Sequence, residues 1–373
     1  MAAEPPSPIA VSTPPKPSTR TARRARSAPT ISDVARHAGV SPMTVSRVIN
    51  GEASVRPSTR ETVKAAIAAL NYAPNPAARS LAGARQLRVA MLYSNPSAGY
   101  LSEFLLGSLD QASRSDVQIV VEKCELGDHE MEVAAQVVAS GIDGVVLPPP
   151  LCESEPLLDL FAKAGVPTVS VATGRPAADM LAIRIDDRAA ALTMTRHIMS
   201  LGHRRIGFIM GNPNLTASAR RFSGYKAALE EAGIAVDPEL IVQGLYTYRS
   251  GLDAAEQLLD RADPPTAIFS SNDDMAAATV AVAHRRGLDV PGDLTVCGFD
   301  DTTLSTAIWP ELTTIHQPIA DMARAAVELL VSTLRQPRRT DAGTGERHRL
   351  LDFTLIRRQS DAAPRRRPRL PSA

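Results

Sequence analysis

Arg47 and Asn50 close the segment SPMTVSRVIN (41–50), with Pro42 and Met43 at its start. If that segment is helical, Pro42, Met43, Arg47 and Asn50 point outward, while Val45, Val48 and Ile49 turn inward. The chemistry available to such a face is the reading of base edges. An arginine fork matches O6 and N7 of guanine, and an asparagine reads a base or the sugar-phosphate. Pro42 has no backbone N–H, and Met43 offers a flexible apolar surface. Base choice at those two positions is therefore expected through thymine methyls rather than hydrogen bonds. Around this face stand the hydroxyls of Thr30, Ser41, Thr44, Ser46 and Thr59, residue types that both contact phosphates and cap helices.

The elements that position these groups are legible in the flanking sequence. Ile31, Val34 and Ala35 form the apolar stripe of a short helix that ends at Gly39. Ser41 is the expected N-cap of the next helix, and Pro42 its first residue. A third helix is expected over 58–70, with Val63, Ile67 and Leu70 inward and Ser58 as cap. This is the layout of a helix-turn-helix, whose second helix enters the DNA major groove. Charge agrees. Residues 1–88 carry 13 basic and 4 acidic side chains, a balance of +9, against −8 for the rest and +1 for the whole chain. A basic head on a mildly acidic body suits a phosphate-binding module.

At 373 residues, 44% of them hydrophobic, the chain is expected to hold two or three domains with ordinary cores. Residues 1–29 contain seven prolines and read as a disordered basic tail, and 359–373 as a second tail. Cys124, Cys152 and Cys297 form no CxxC pair, so buried free thiols are expected rather than a zinc site or disulfides. The N-terminus has no apolar run of a secretory signal, and no apolar stretch is long enough to span a bilayer. A cytoplasmic location is expected. GxSxG, P-loop, HExxH and GxGxxG elements are missing, so no enzyme, cofactor or metal is expected.

From Leu87 onward short apolar runs alternate with helical ones. Strands are expected over 87–92, 117–122, 144–148, 167–172, 205–210, 266–271 and 294–299. Helices are expected near 103–114, 130–140, 187–201, 218–232, 250–261, 273–287 and 319–335. Val/Ile-rich strands separated by helices predict parallel sheets covered on both faces, and about 270 residues of them predict two such lobes. Ligands of such sheets bind beyond the carboxyl ends of the strands. Asn272 and Asp300 follow two of the strands and are candidate ligand contacts there. A neutral polyol needs carboxylate, amide and guanidinium groups beside an apolar wall.

DVARHAGVSPMTVSRVIN followed by LNYAPNPAARSLAG resembles the lactose-repressor (LacI) family of bacterial transcription regulators. So do GHRRIGFI (202–209), ARRFSGYKAAL (219–229), SNDDMAAA (271–278), GFDD (298–301) and LTTIHQP (312–318). The resemblance covers roughly residues 30–358. It implies an all-α helix-turn-helix head (30–72), a hinge helix (73–86), and a periplasmic-binding-protein-like body of two doubly wound lobes (87–358). Lobe 1 would take about 87–186 and 318–338, and lobe 2 about 187–317 and 349–358. It further implies a dimer or dimer of dimers on a near-palindromic operator, controlled by a small effector, a sugar or sugar acid. Within it, Pro42 and Met43 help choose the operator and Arg47 contacts a base. Asn75 opens the hinge segment, and Leu81 is the minor-groove wedge. Arg221, before Ser223-Gly224-Tyr225, and Tyr246 are effector contacts, with Tyr100, Asp186 and Gln317 as further candidates. NPSAGYLSEF after the first body strand departs from the family's usual run there. Repression is the family default. The alternative is a solute-binding receptor of the periplasmic-binding type.

Overall fold

The computed structural model describes residues 29–49, 54–72, 86–125, 127, 129–335 and 347–365. Asn50, Asn75, Leu81 and residues 1–28 of the tail expected over 1–29 lie outside them. The chain divides into two compact units between Arg85 and Gln86.

In the first unit, helices α1 (Ile31–Ala38), α2 (Pro42–Ile49) and α3 (Pro57–Ala69) enclose one small core. Val34, Ala35, Val45, Val48, Val63 and Ala66 are buried in it, with Ile31 and Ile49 packed at its edge. Thr30 caps α1 reciprocally with Asp33: its hydroxyl accepts from the Asp33 N–H, and its own N–H donates to the Asp33 carboxylate (2.9 Å). Gly39 (φ +66°) ends α1 in the left-handed conformation that glycine adopts without a Cβ penalty. The Thr44 N–H donates to the Ser41 hydroxyl (3.1 Å), so Ser41 caps α2 as expected. The third helix starts one residue earlier than expected. Arg56 precedes it without a side-chain cap, and Pro57, whose missing N–H costs nothing there, takes the first turn.

Among the described residues the body holds two parallel sheets and one short antiparallel pair. The first contains β1 (Leu87–Tyr93), β2 (Val117–Lys123), β3 (Gly144–Leu147), β4 (Thr168–Val171), β5 (Leu181–Arg184) and β11 (His348–Leu350), in the order β11-β5-β4-β3-β1-β2. The second contains β6 (Ile206–Met210), β7 (Ile241–Gln243), β8 (Ala267–Ser270) and β9 (Thr295–Cys297), in the order β7-β6-β8-β9. Every pairing within these two sheets is parallel. A short antiparallel pair, β10 (Thr314–His316) with β12 (Thr354–Ile356), completes the strands.

Helices α4 (Ala98–Arg114), α5 (Glu130–Ala139), α6 (Glu155–Lys163) and α12 (Ile319–Arg335) belong to lobe 1. In lobe 2, α7 (Asp187–Ser200), α8 (Thr216–Glu231), α9 (Tyr248–Leu259) and α10 (Asp273–Arg285) pair as α7 with α8 and α9 with α10, and α11 (Leu304–Ala307) is one short turn. Period-2 alternation feeds both faces of each sheet. On β1, Val89 and Met91 enter one core while Ala90 and Leu92 enter the other. On β6, Phe208 and Ile209 divide in the same way. Residues buried on both sides read as continuous apolar runs, which is why these strands were visible in the sequence. Gly107 lets α4 meet α12 backbone to backbone; a Cβ there would lie 2.2 Å from the Ala320 carbonyl oxygen.

Two expectations are corrected. Arg349 and Leu350, expected in lobe 2, pair with β5 in the lobe 1 sheet together with His348. Residues 359–365 are not a free tail. Ser360 and Asp361 are buried: the Ser360 hydroxyl accepts from the Thr313 N–H (2.9 Å), Asp361 meets His197 (2.8 Å), and the Ala362 carbonyl meets His203 (2.8 Å). These bonds reach 47 to 164 residues back along the chain, so no local pattern announces them. The three cysteines are free and buried, and burial pushes their thiols up.

Candidate functional site

The head presents one face of α2. Pro42, Met43 and Arg47 are exposed on it, Met43 at 63%, while Val45 and Val48 on the opposite side are buried. Thr44 and Ser46 flank that face half-buried, and Thr59 is half-buried in the first turn of α3. The Ser41 and Thr44 hydroxyls bond each other (2.9 Å), and the Thr30 hydroxyl donates to Asp33 (2.7 Å), so these three already serve the helix starts.

In the body, the carboxyl ends of the two sheets open on one cleft. The chain leaves β1 toward β2 and returns to β3 on its other side. It leaves β6 toward β7 and returns to β8. Those are the switch points where crevices form in open α/β sheets. The cleft holds about 560 Å³ of empty space, part of it open to solvent. Lobe 1 contributes Asn95 and Ser97 after β1, Pro149 and Pro150 after β3, and Ala172 after β4. Lobe 2 contributes Asn212 after β6, Asn272 after β8 and Asp300 after β9. Of the sequence candidates, Arg221, Tyr246, Asn272, Asp300, Tyr100 and Gln317 all line this space. Asp186 does not. Its carboxylate caps α7, accepting from the Arg188 and Ala189 N–H groups (both 3.1 Å).

Arg221 is the hub. Its Nε donates to Asp187 (2.8 Å), and one Nη donates to the Ser271 carbonyl (2.6 Å) and lies 3.6 Å from Asp300. Its guanidinium carbon sits 3.6 Å over the Phe299 ring. Burial opposes its charge, yet Tyr246, Asp187 and Asp300 raise its pKa further, so it stays cationic. Burial pushes the Asp300 carboxyl well above the usual carboxylate range against the pull of Arg221, with Asp273 and Asp274 adding to the rise. Asp187 is raised by the same burial, with Arg221 opposing. Asp187 was missed in the sequence because it adjoins Asp186 at the same helix start. Asp186 caps the helix and Asp187 faces inward.

Backbone strain gathers here. Ala172, Tyr246 and Asp300 line the cleft with φ of +60°, +61° and +111°, conformations that non-glycine residues adopt at a cost of about 1–3 kcal/mol each. Tyr246 thereby lays its ring across Gly211, where a Cβ would fall 2.0 Å from the ring, and its hydroxyl bonds Ser218 (2.7 Å). Asn272 caps α10, accepting from the Met275 N–H (3.0 Å), and donates to the Tyr246 carbonyl (3.0 Å).

Three groups not foreseen cross from lobe 1 to lobe 2: Ser97, Glu153, and Gly174, whose N–H also donates to the Thr216 hydroxyl (2.9 Å). Ser97 donates to Asp274 (2.6 Å). Glu153 accepts from Thr173 (2.8 Å) and Gly174 (3.2 Å) in lobe 1, and from the N–H (2.7 Å) and hydroxyl of Thr216, the first residue of α8, in lobe 2.

Behind the cleft, Asp273 is fully buried, and burial pushes its carboxyl up to about 7 against the bonds from Thr314 and Thr302. A carboxyl raised on folding contributes stability that is complete below its ordinary pKa and is lost as pH rises through the folded value. Melting temperature is therefore expected to fall between pH 4 and 7.5, with Asp300, Asp187 and Asp274 adding to the same trend. Asp273→Asn should flatten that fall by roughly 5 °C in a thermal-denaturation series. An unchanged slope would refute the assignment.

Residues 30–75 match the family of bacterial regulatory proteins, lacI family, and residues 195–360 match the periplasmic binding protein-like domain. Catabolite control protein A of Priestia megaterium is 36% identical over 309 residues, covering 82% of this chain and 93% of that protein. The HTH-type transcriptional repressor CytR of Escherichia coli (strain K12) is 32% identical, covering 92% and 99%. The structure of the transcriptional regulator CelR–cellobiose complex superposes with a TM-score of 0.68 at 33% identity, covering 89% of this chain and 99% of that one. That of the lac repressor dimer bound to operator and the anti-inducer ONPF gives a TM-score of 0.74 at 28% identity, covering 90% and 100%. Among the described residues no helix is long and apolar enough to cross a membrane. With the helix-turn-helix head, the two-lobed body and relatives at this identity across most of its length, the chain belongs to the lacI family of bacterial regulatory proteins, DNA-binding regulators of transcription rather than enzymes.

Proposed function

We propose that this protein is a repressor whose operator affinity is set by a small ligand, a sugar or sugar acid, held in the cleft between its lobes. Two copies present two heads to the half-sites of a near-palindromic operator, acting on DNA in the cytoplasm. Pro42, Met43, Arg47 and Asn50 face the bases, and Thr30, Ser41, Thr44, Ser46 and Thr59 approach the phosphates. Asn75 and Leu81 serve as hinge and minor-groove wedge. Arg221, Tyr246, Asn272, Asp300, Tyr100 and Gln317 hold the ligand, and Asp186 acts at one remove by fixing the helix start that carries Asp187. The protein has no catalytic role. The observation that carries this reading is that polar groups from the carboxyl ends of both sheets converge on one cleft. A ligand touching both lobes changes the angle between them, and the change in operator affinity equals the difference in ligand affinity between the DNA-bound and free forms.

The test is a thermal-shift screen with sugars, sugar acids and nucleobases, run beside operator titrations. A compound that raises the melting temperature is expected to change operator affinity as well. A compound that stabilises the body and leaves operator affinity untouched contradicts the reading. Arg47→Ala is expected to weaken operator binding by about tenfold to a hundredfold while changing affinity for unrelated duplex far less, because a bidentate base contact carries about 1–3 kcal/mol of discrimination. Equal losses on both duplexes would assign Arg47 to the phosphates instead.

A further inference from the structure

A second seam between the lobes runs along the first two turns of α4. Ser97, its N-cap residue, donates to Asp274 at the start of α10 (2.6 Å). Gly99 lies against Thr302; a Cβ there would fall 3.0 Å from the Thr302 Cβ, so a side chain would crowd the contact. One turn on, the Glu103 carboxyl meets the Thr303 backbone amide and faces Asp301 and His316. Behind Thr302, Asp273 accepts the Thr302 N–H (2.8 Å) and the Thr314 hydroxyl (2.7 Å). The stretch that lobe 1 touches here, 300–303, is strained: Asp300 and Asp301 hold φ of +111° and +60°.

Five carboxyls thus crowd the seam: Glu103 from lobe 1, and Asp273, Asp274, Asp300 and Asp301 from lobe 2. The cations present attend to two of them. Arg221 lies 3.6 Å from Asp300, and Arg358 (2.6 Å) and His316 (3.1 Å) flank Asp301. Among the described residues no arginine or lysine pairs with Glu103, Asp273 or Asp274, whose donors are hydroxyls and amides. Charged groups on the elements packed around them are turned elsewhere: Arg249 of α9 to Asp253 (3.7 Å), Arg324 of α12 to Asp110 (3.5 Å), and Lys123 of β2 to Glu125. Glu103 and Asp274 are half-buried, each covered in part by the other lobe. That burial raises both carboxyls above their ordinary values. Asp301 adds to the rise at Glu103 and His316 opposes it; at Asp274 the Ser97 bond opposes it. Parting the lobes returns water to both and restores ordinary ionisation. A carboxyl raised in one state favours that state in full below its ordinary pKa, and the preference is lost as pH rises through the raised value.

We propose that this seam is a proton-operated catch: the lobes close as Glu103 and Asp274 take up protons and part when both are ionised, so acidification closes the body without a ligand. The inference goes beyond the effector reading and stands whether or not the cleft holds a sugar. The test uses the full-length, unliganded chain at pH 5.5 and 7.5 and one ionic strength, with two readings. Small-angle scattering is expected to report a more compact body at pH 5.5. Amide hydrogen exchange, corrected for its intrinsic pH dependence, is expected to show the Thr303 amide protected about tenfold more at pH 5.5, since one proton taken up on closing shifts the balance by up to tenfold per pH unit. Glu103→Gln combined with Asp274→Asn mimics the protonated side chains and keeps an acceptor for Ser97. This double variant should show the compact scattering curve and the high protection already at pH 7.5, and lose the dependence on pH. If it does not fold, Glu103→Gln alone decides by the same readings and should remove about half of the dependence, one proton of two. Scattering and protection that do not change with pH, that change in the opposite sense, or that change as much in the variant as in the unaltered chain, overturn the proposal.

Discussion

Arg221→Ala is expected to lower the unfolding free energy at pH 7.5 by about 3–5 kcal/mol, the range for removing one partner of a buried ion pair. The loss comes less from the missing attraction than from what stays behind. Asp187 and Asp300 are each nearly inaccessible to water, and without the guanidinium each must either carry an uncompensated charge or take up a proton. The Ser271 carbonyl also loses its donor. Burial already pushes both carboxyls above their usual range, and Arg221 is what holds them down. In its absence they protonate more readily. The deficit of the variant is therefore expected to be smaller at pH 5 than at pH 7.5, because neutral carboxyls are cheaper to bury. Denaturant unfolding of both chains at the two pH values checks this. A loss below about 1 kcal/mol, or one identical at both pH values, would mean that Arg221 is not the counter-ion of this pair.

The second large effect is expected at Glu153. One carboxylate takes donors from both lobes and sits at the start of α8, where helix N–H groups have no partner within the helix and negative charge is favoured. The same helix carries Arg221 five residues further on. Bonds to a charged acceptor contribute about 1.5–3 kcal/mol each, so Glu153→Ala should shift the balance between lobes held together and lobes apart by more than tenfold. Small-angle scattering of the unliganded variant is expected to report a more open body. Any effector should bind it about tenfold more weakly, since only the closed fraction is competent. A scattering curve and effector affinity both equal to the unaltered chain would show that Glu153 is a local contact and no clasp.

The sequence made the head and the long apolar strands plain for a physical reason. Periodicity survives where one face is buried, as on α1, and where both faces are buried, as on β1 and β8. It failed on β5, β7, β10, β11 and β12, three or four residues each, whose segments mix polar and apolar residues and which owe their conformation to a neighbouring strand. It failed on α6 as well, where Pro156 in the first turn reads as a break although proline is tolerated there. Asn272 and Asp300 could be picked from strand ends alone. Arg221 and Tyr246 needed the resemblance, since an arginine inside a helix and a tyrosine in a loop carry no local sign of burial. Glu153 and Asp187 were invisible because their meaning lies in partners 63 and 34 residues away.

The claim that ties head and body together is that α2 reads DNA as one of a twofold-related pair. Selection of duplexes from a randomised pool by the full-length chain, followed by sequencing of the bound fraction, tests it most directly. The account predicts enrichment of inverted half-sites and binding that weakens steeply as salt is raised, through release of counter-ions from the phosphates. Enrichment of unsymmetrical sequences, or no enrichment over the starting pool, would contradict it.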